Sequence, residues 1–423
     1  MSAFLIIVLF ALFIIGLPIA FSLGLASSLT VYFGDLTHMV VVIQQTFNAI
    51  NSFTLMAIPF FILAGYLMQH GGISKRLVDF SDSLVGNMSG GLAMVAILTS
   101  LFFSAISGSG AATTAAIGAI MIPAMAQKGY DIRFAAATHS ASGSLGIILP
   151  PSIPLILYGV AASVSIGDLF VAAVIPGFIV AFSFLIYAYI YSKKKGYIGT
   201  EKSGWREVWI TFRKAILAIL MPVIVLGGIY SGVFTPTEAA VIAVVYSFIV
   251  GAFIYRSISI TKMIQVLRDS AVMSANILLI IGTAGLFGFI MQRLGIPDMI
   301  SATFVDNISS ALIFILIATL IMLIVGMFIE AAAAILIFVP ILLPVAVEFG
   351  IDPIHFGVIM IVNLAIGMFT PPVGLNLFVA SQISGIGIIR LLKPIVPFVI
   401  ILLVDVLLIS FLPVLSLWLP SIM

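Results

Sequence analysis

The sequence predicts an all-α polytopic membrane protein built as two inverted repeats, and three observations carry that prediction. The first is composition: of 423 residues, 63% are hydrophobic and only 8% are charged. A soluble domain needs far more water-facing charge on its surface. Apolar runs such as 216–229 and 311–328 are continuous, where barrel strands would alternate at every second residue. At about 20 residues per crossing, the apolar material suffices for roughly ten spans and some shorter pieces.

The second observation is an internal correspondence. Displaced by 221 positions, Pro123 lands on Pro344, Gly129 on Gly350, Asp131 on Asp352, Gly146 on Gly367, and Pro150-Pro151 on Pro371-Pro372. With two further residues of displacement, Gly65-Tyr66-Leu67-Met68-Gln69 lies on Gly288-Phe289-Ile290-Met291-Gln292. With a slightly different one, Leu17-Pro18 falls on Thr235-Pro236. Matched helix breakers in order define two related halves, 1–192 and 215–423.

The third is the placement of charge. Of 17 Lys and Arg, 14 lie at or before Arg268, in four segments: 75–76, 128–133, 193–214 and 256–268. Cationic loops stay in the cytoplasm, so all four are cytoplasmic. The second-half counterparts of the first two carry Arg293 but also Asp298, Asp306, Glu348 and Asp352, and read as periplasmic. The halves therefore face opposite ways.

The elements follow in order. Residues 2–16 and 18–33 form a helical pair; 2–16 lacks a basic leader segment and a cleavage site and reads as a retained helix. Residues 38–50 lie along the membrane, 53–70 cross inward, and 73–87 make an amphipathic cytoplasmic arm. Residues 90–127 have two apolar limbs around a small-residue turn with both ends cytoplasmic, which is a re-entrant hairpin. Residues 133–163 cross through an interrupted centre, and 166–192 cross back. A basic link, 193–214, precedes the second half: 215–233, 236–255, an arm at 257–268, 270–292, an arm at 296–308, a hairpin at 310–347, a broken helix at 355–383 and a last span at 394–418.

Chemistry concentrates where hairpins meet breaks. Ser104 to Thr114 (SAISGSGAATT) faces Ser140 to Pro151 (SASGSLGIILPP), and Gly326 to Glu330 faces Asn363 to Asn376 (NLAIGMFTPPVGLN). Proline removes a backbone donor and leaves a carbonyl unpaired, and glycine allows a sharp unwound turn. Unwound backbone deep in a bilayer is tolerable only where it lines a cavity or binds something. Carbonyl and hydroxyl oxygens suit Na+, and half-helix N-termini suit a carboxylate. Ser107, Ser109 and Ser144, with Asn363 and Thr370, are the side chains placed to supply such oxygens. The alanine runs 111–119 and 331–334 read instead as close helix packing.

The remaining polar residues divide between function and structure. Glu330, at the second hairpin tip, would be a costly buried acid, so a functional carboxyl and one satisfied by nearby backbone amides compete. Thr235-Pro236-Thr237-Glu238 reads as a helix cap. Asp405 reads as an interhelical hydrogen bond, and His139 as a packing residue. Gly108 to Thr114 contains no lysine and is no phosphate loop. The chain has no HExxH, no GxSxG and no cysteine, so no enzyme chemistry is expected. A net charge of +2 with no basic face gives no reason to expect nucleic acid.

Four motifs resemble a known family: Ser107–Met125 (SGSGAATTAAIGAIMIPAM), Gly146–Gly159 (GIILPPSIPLILYG), Gly232–Ala240 (GVFTPTEAA) and Gly367–Phe378 (GMFTPPVGLNLF). In order and across essentially the whole chain, they are similar to the large membrane subunit of tripartite ATP-independent periplasmic (TRAP) transporters. The resemblance implies an elevator-type carrier of the bacterial inner membrane, driven by Na+. A transport domain would move against a scaffold, with transport elements at 88–163 and 309–384 and scaffold and arms at 1–87, 164–308 and 385–423. It implies two partners in separate chains, a small four-helix membrane subunit and a periplasmic substrate-binding protein.

By position, the resemblance places one sodium site between Ser104, Ser107, Gly108 and Ser109 on one side and Gly143, Ser144, Ile148 and Pro150 on the other. The second lies between Gly326, Glu330, Gly367, Thr370 and Pro371. The substrate sits between the tips, against Ser109, Gly110, Thr113, Ser144, Glu330, Asn363 and Asn376. Family substrates are small organic acids, and the sialic-acid branch is the one favoured here, with C4-dicarboxylates and other carboxylates as alternatives. A stand-alone sodium-coupled carboxylate symporter of the same superfamily is the rival reading. A channel would need a continuous polar pore, and the sequence offers only two local polar clusters.

Overall fold

The computed structural model describes residues 1–199, 203–308 and 310–423. Among them every regular element is a helix. Eight helices are long and apolar enough to cross a membrane, or ten if each of two bent pairs counts as one crossing. The bent pairs are Val40–Ile50 with Thr54–His70, at 63°, and Ile132–Ile148 with Ile153–Ala162, at 40°.

The matched residues of the two halves do matched structural work. Gly129 and Gly350 both take positive φ, +82° and +73°, a region open to glycine at little cost. Each closes the turn after a hairpin. Two residues on, Asp131 and Asp352 cap the broken helices that follow. Asp131 accepts from the Arg133 amide at 2.9 Å, and Asp352 from the Ile354 and His355 amides at 2.8 and 3.1 Å. Each cap satisfies amides the helix start leaves unpaired. The Arg133 guanidinium, 2.7 Å from Asp131, holds that carboxyl below the usual range. The Pro150-Pro151 and Pro371-Pro372 peptides are both cis.

The first hairpin is Gly91–Ser107 and Gly110–Gln127; the second is Ala311–Phe328 and Ala331–Glu348. The first broken helix is Ile132–Gly143, Leu145–Ile148 and Ile153–Ala162; the second is Pro353–Gly367 and Leu375–Ser384. Their far halves cross over. Ile153–Ala162 packs on Ala331–Glu348 of the second hairpin, and Leu375–Ser384 packs on Gly110–Gln127 of the first. The Tyr158 hydroxyl donates to the Pro353 carbonyl at 2.6 Å, and its ring fills the space a side chain on Gly357 would need. These four elements therefore form one interlocked body.

Several boundaries differ from the sequence reading. The basic link expected over 193–214 is mostly helix: Ile166–Lys195 ends in Lys193, Lys194 and Lys195, and Trp205–Tyr230 follows. Lysines in a last turn complement the negative end of the helix dipole. Residues 200–202 of that link lie outside the described residues. The arm expected at 257–268 is not separate either. Ile260–Arg293 is one unbroken helix. The last span is two helices, Ile388–Phe411 and Val414–Ile422. Ile166–Lys195 and Ile388–Phe411 pack on the interlocked body. Phe184 meets Phe369 and Phe398 edge-on at 6.4 and 5.3 Å, and the Ser183 hydroxyl donates to Asp405 at 2.9 Å. Asp405 thus makes the interhelical bond expected of it.

The other long helices form a second group. Ala57–His70 packs against Pro236–Phe248 and Ile260–Arg293, and Val40–Ile50 lies along Ile260–Arg293. The Thr235-Glu238 cap is a reciprocal capping box. The amphipathic helix Ile73–Val85 buries Ile73, Leu77 and Phe80 against Gly91–Ser107 and Trp205–Tyr230.

The turns closing the two hairpins leave Lys128 and Glu348 exposed. Because the chain has no cysteine, Lys128→Cys and Glu348→Cys can each be labelled alone with a membrane-impermeant thiol reagent. Opposed halves should label from opposite sides. Labelling of both from one side would exclude an inverted arrangement.

Candidate functional site

Each hairpin tip is held against its own repeat's break by a backbone hydrogen bond. At the first tip Gly108 turns the chain with φ +59°, and its carbonyl accepts from the Ile153 amide at 3.3 Å, just past Pro150-Pro151. At the second, the Met327 carbonyl accepts from the Val373 amide at 3.2 Å, just past Pro371-Pro372. Prolines cannot donate, and the donating amide lies one residue past the second pair and two past the first.

The first tip gathers its hydroxyls. Ser107 Oγ lies 2.7 Å from Thr113 Oγ1, and Thr113 donates to the Ser109 carbonyl at 2.9 Å. Ser109 caps Gly110–Gln127 by accepting from the Ala112 amide at 3.4 Å. Ser144 donates to the Ala141 carbonyl at 2.6 Å, and Ser152 bridges the break by donating to the Ile147 carbonyl at 2.6 Å. Gly143 has no room for a side chain beside Thr114, nor has Gly146, where a Cβ would stand 2.5 Å from the Ser109 carbonyl oxygen. Ser104, Ile148 and Pro150 are buried around this cluster.

The second tip carries fewer hydroxyls. A Cβ on Gly367 would overlap the Gly326 backbone, so the two helices touch main chain to main chain. Gly146 and Gly367, equivalent in the repeat, thus do the same thing: each lets a hairpin backbone lie on a broken helix. Thr370 donates to the Ile366 carbonyl at 2.6 Å, and Pro371 opens the break. Asn363 donates to the Ile359 carbonyl at 3.0 Å. Glu330 caps Ala331–Glu348 in position but makes no capping bond, and its side chain stays accessible. A carboxyl satisfied by the backbone amides of its own helix start is therefore not what the structure shows.

The two sites adjoin. Met368, from the second break, sits against Gly110 of the first tip, and Asn376 Nδ2 donates to the Ser140 carbonyl at 3.2 Å. Asn376 therefore belongs to the junction between repeats. The buried oxygens Ser104 Oγ, Ser140 Oγ, Asn363 Oδ1 and Asn376 Oδ1 have no hydrogen-bond partner among the described residues. Such orphans are costly in an apolar interior and call for a ligand or water. His139 is also buried and unpaired. Among the described residues no three His, Asp or Glu side chains converge on one point.

Sequence reasoning missed two residues here. Tyr66 and Gln69, on Ala57–His70, face Ser107, Ser109 and Ile153 across a cavity of about 30 Å³. That holds a water or a bare ion but no organic acid. The available signal was a glutamine late in an apolar helix.

Paired hairpins, paired breaks and an interlocked body between long apolar helices define a multi-pass membrane carrier. The chain's residues 6–415 match the family described as the tripartite ATP-independent periplasmic transporter, DctM component, and the protein belongs to that family. It is a TRAP transporter large permease of the inner membrane, a transport protein by family.

The chain is 40% identical to the C4-dicarboxylate TRAP transporter large permease protein DctM of Rhodobacter capsulatus, over the full length of both chains. It is 43% identical to the isethionate TRAP transporter permease protein DctMQ of Oleidesulfovibrio alaskensis, over 96% of this chain; it spans 64% of that relative's length. Identity to the sialic acid TRAP transporter large permease protein SiaM of Vibrio cholerae is 37%, over 96% of this chain and 95% of that one. In fold the chain resembles the crystal structure of the Alcanivorax borkumensis YdaH transporter, with a TM-score of 0.62 and 17% identity over 90% of this chain and 87% of that one.

Proposed function

We propose that this subunit imports a small organic anion across the inner membrane by coupling it to Na+ entry. The supporting observation is the set of unpartnered buried oxygens beside both helix breaks. Na+ is a hard cation that such neutral oxygens can ligate. Ser104, with the Ser107–Ser109 turn, would serve one ion, and Asn363, with the Thr370 segment, the other. The substrate lies between the tips, near Ser109, Gly110 and Asn376.

The interlocked body of hairpins and broken helices is a unit of the right kind to move as one piece against the Ala57–His70 and Ile260–Arg293 group. That is the elevator reading. The small membrane subunit and the periplasmic binding protein are its proposed partners. The names of similar proteins span C4-dicarboxylate, isethionate and sialic acid, so sialic acid is one of several substrates to test. All carry an anionic carboxylate or sulfonate.

The test is uptake into proteoliposomes holding this chain and its neighbouring small subunit, with the binding protein outside. Labelled succinate, isethionate and N-acetylneuraminate should be screened under an imposed Na+ gradient without ATP. One of them should accumulate only with Na+ and only with the binding protein. Accumulation driven by a proton gradient in sodium-free buffer would overturn sodium coupling, and uptake without the binding protein would favour the stand-alone symporter.

A further inference from the structure

The repeat that aligns Gly65-Tyr66-Leu67-Met68-Gln69 with Gly288-Phe289-Ile290-Met291-Gln292 aligns two cavities as well. Gly65, Tyr66 and Gln69 line the small cavity at the first tip. Their equivalents, Gly288, Phe289 and Gln292, line a cavity of about 400 Å³ whose other walls include Leu157 and Val160 of the first broken helix and Leu336 and Pro340 of the second hairpin. Three corresponding positions thus face the interlocked body in both halves. The two cavities differ in size by an order of magnitude. One is too small for an organic acid, and the other has the volume of a small-molecule site.

We propose that Gln69 and Gln292 are equivalent substrate-positioning residues, one for each side of the membrane, and that Gln292 acts with Gln45 and Asn48. Gln45 and Asn48 line the larger cavity from Val40–Ile50. Gln45 and Gln69 are half-buried and Asn48 and Gln292 exposed, so each can turn its amide toward a ligand in its cavity. A primary amide offers two N–H donors to a carboxylate or sulfonate oxygen and carries no charge. A lysine or arginine there would bind the anion more firmly through charge assistance. A carrier needs a contact that receives the anion and releases it. The flanking charges give the sides: Gln69 stands just before Lys75-Arg76, on the cytoplasmic side, and Gln292 on the opposite one.

This inference rests on the transport reading above, and the experiment separates the two. Gln69→Leu and Gln292→Leu are made in the assembly with both partner components. Whichever of succinate, isethionate and N-acetylneuraminate the wild type carries is titrated from outside in right-side-out vesicles. It is titrated from the cytoplasmic face by counterflow in inside-out vesicles. Gln292→Leu should raise half-saturation from outside about fivefold, the worth of one hydrogen bond, and leave the inner value unchanged; Gln69→Leu should do the reverse. Gln292→Glu and Gln69→Glu keep the side-chain shape and repel the anion. They should show the same one-sided pattern more strongly, and they decide the matter if a leucine variant does not fold. Equal shifts on both sides, or none, with an active wild type would overturn this inference alone. A wild type that carries none of the three acids would overturn the transport reading and this inference with it.

Discussion

Gly367→Ala and Gly146→Ala are expected to be strongly damaging single-methyl changes at the two helix breaks. At both positions the added Cβ meets backbone: Gly326 main chain in one case, the Ser109 carbonyl in the other. A clash with a flexible side chain is relieved by a rotamer change, but a clash with main chain requires two helices to part. Overpacking of this kind costs about 1–3 kcal/mol and, where backbone must move, occasionally more. Parting the helices also pulls the hairpin tip from its break and disrupts the Gly108–Ile153 or Met327–Val373 hydrogen bond. Each variant should lose monodispersity at a lower temperature in detergent, and whatever survives should transport at under about a tenth of the wild-type rate. Gly227→Ala is the control, because its Cβ meets nothing within 4 Å; in a helix interior alanine should be neutral or slightly stabilising. Normal stability and transport in Gly367→Ala would show that the two helices do not bear on each other there.

The second large effect concerns the ion. Ser107→Ala removes the hydroxyl that sits 2.7 Å from Thr113, and Thr370→Ala the one that bonds the Ile366 carbonyl at 2.6 Å. Each loss costs about 1 kcal/mol of stability, which a folded membrane protein survives. If these hydroxyls also serve sodium, the Na+ concentration for half-maximal uptake should rise, about tenfold for each 1.4 kcal/mol of ligation lost. Ser2→Ala and Ser421→Ala, near the chain ends, should leave it unchanged. The measurement is uptake against external Na+ at saturating substrate, for protein of equal amount and monodispersity. An unchanged sodium curve and substrate affinity in both variants would reduce these hydroxyls to packing.

Local chemistry made much of this fold legible. A glycine at positive φ, an aspartate two residues on and a proline pair each obey rules that act over a few residues, so their recurrence 221 positions apart located both hairpins and both breaks. The Thr235-Glu238 capping box is of the same kind. Helix ends near lysines were less legible: 193–214 is charged and looks like a loop, yet lysines stabilise a helix C-terminus as well as they solvate a link. The unbroken Ile260–Arg293 was hidden because its half-mate, 40–70, is broken and the repeat suggested equal treatment.

What the sequence determined by itself is the class of molecule, the two-fold order of its parts and the positions of the unwound backbone, since composition and breakers act locally. Only the tertiary structure decided which apolar face meets which. The far half of each broken helix packs on the other repeat's hairpin, Ile166–Lys195 and Ile388–Phe411 join that body, and Asn376 reaches across to Ser140. Apolar faces in a bilayer protein are chemically alike, so partner choice rests on the fit of small residues such as Gly326 against Gly367, and that fit exists only once the helices are assembled. For the same reason Gln69 and Gln292 were visible in the sequence only as a repeated letter, and became candidate substrate contacts when the fold turned them toward two cavities.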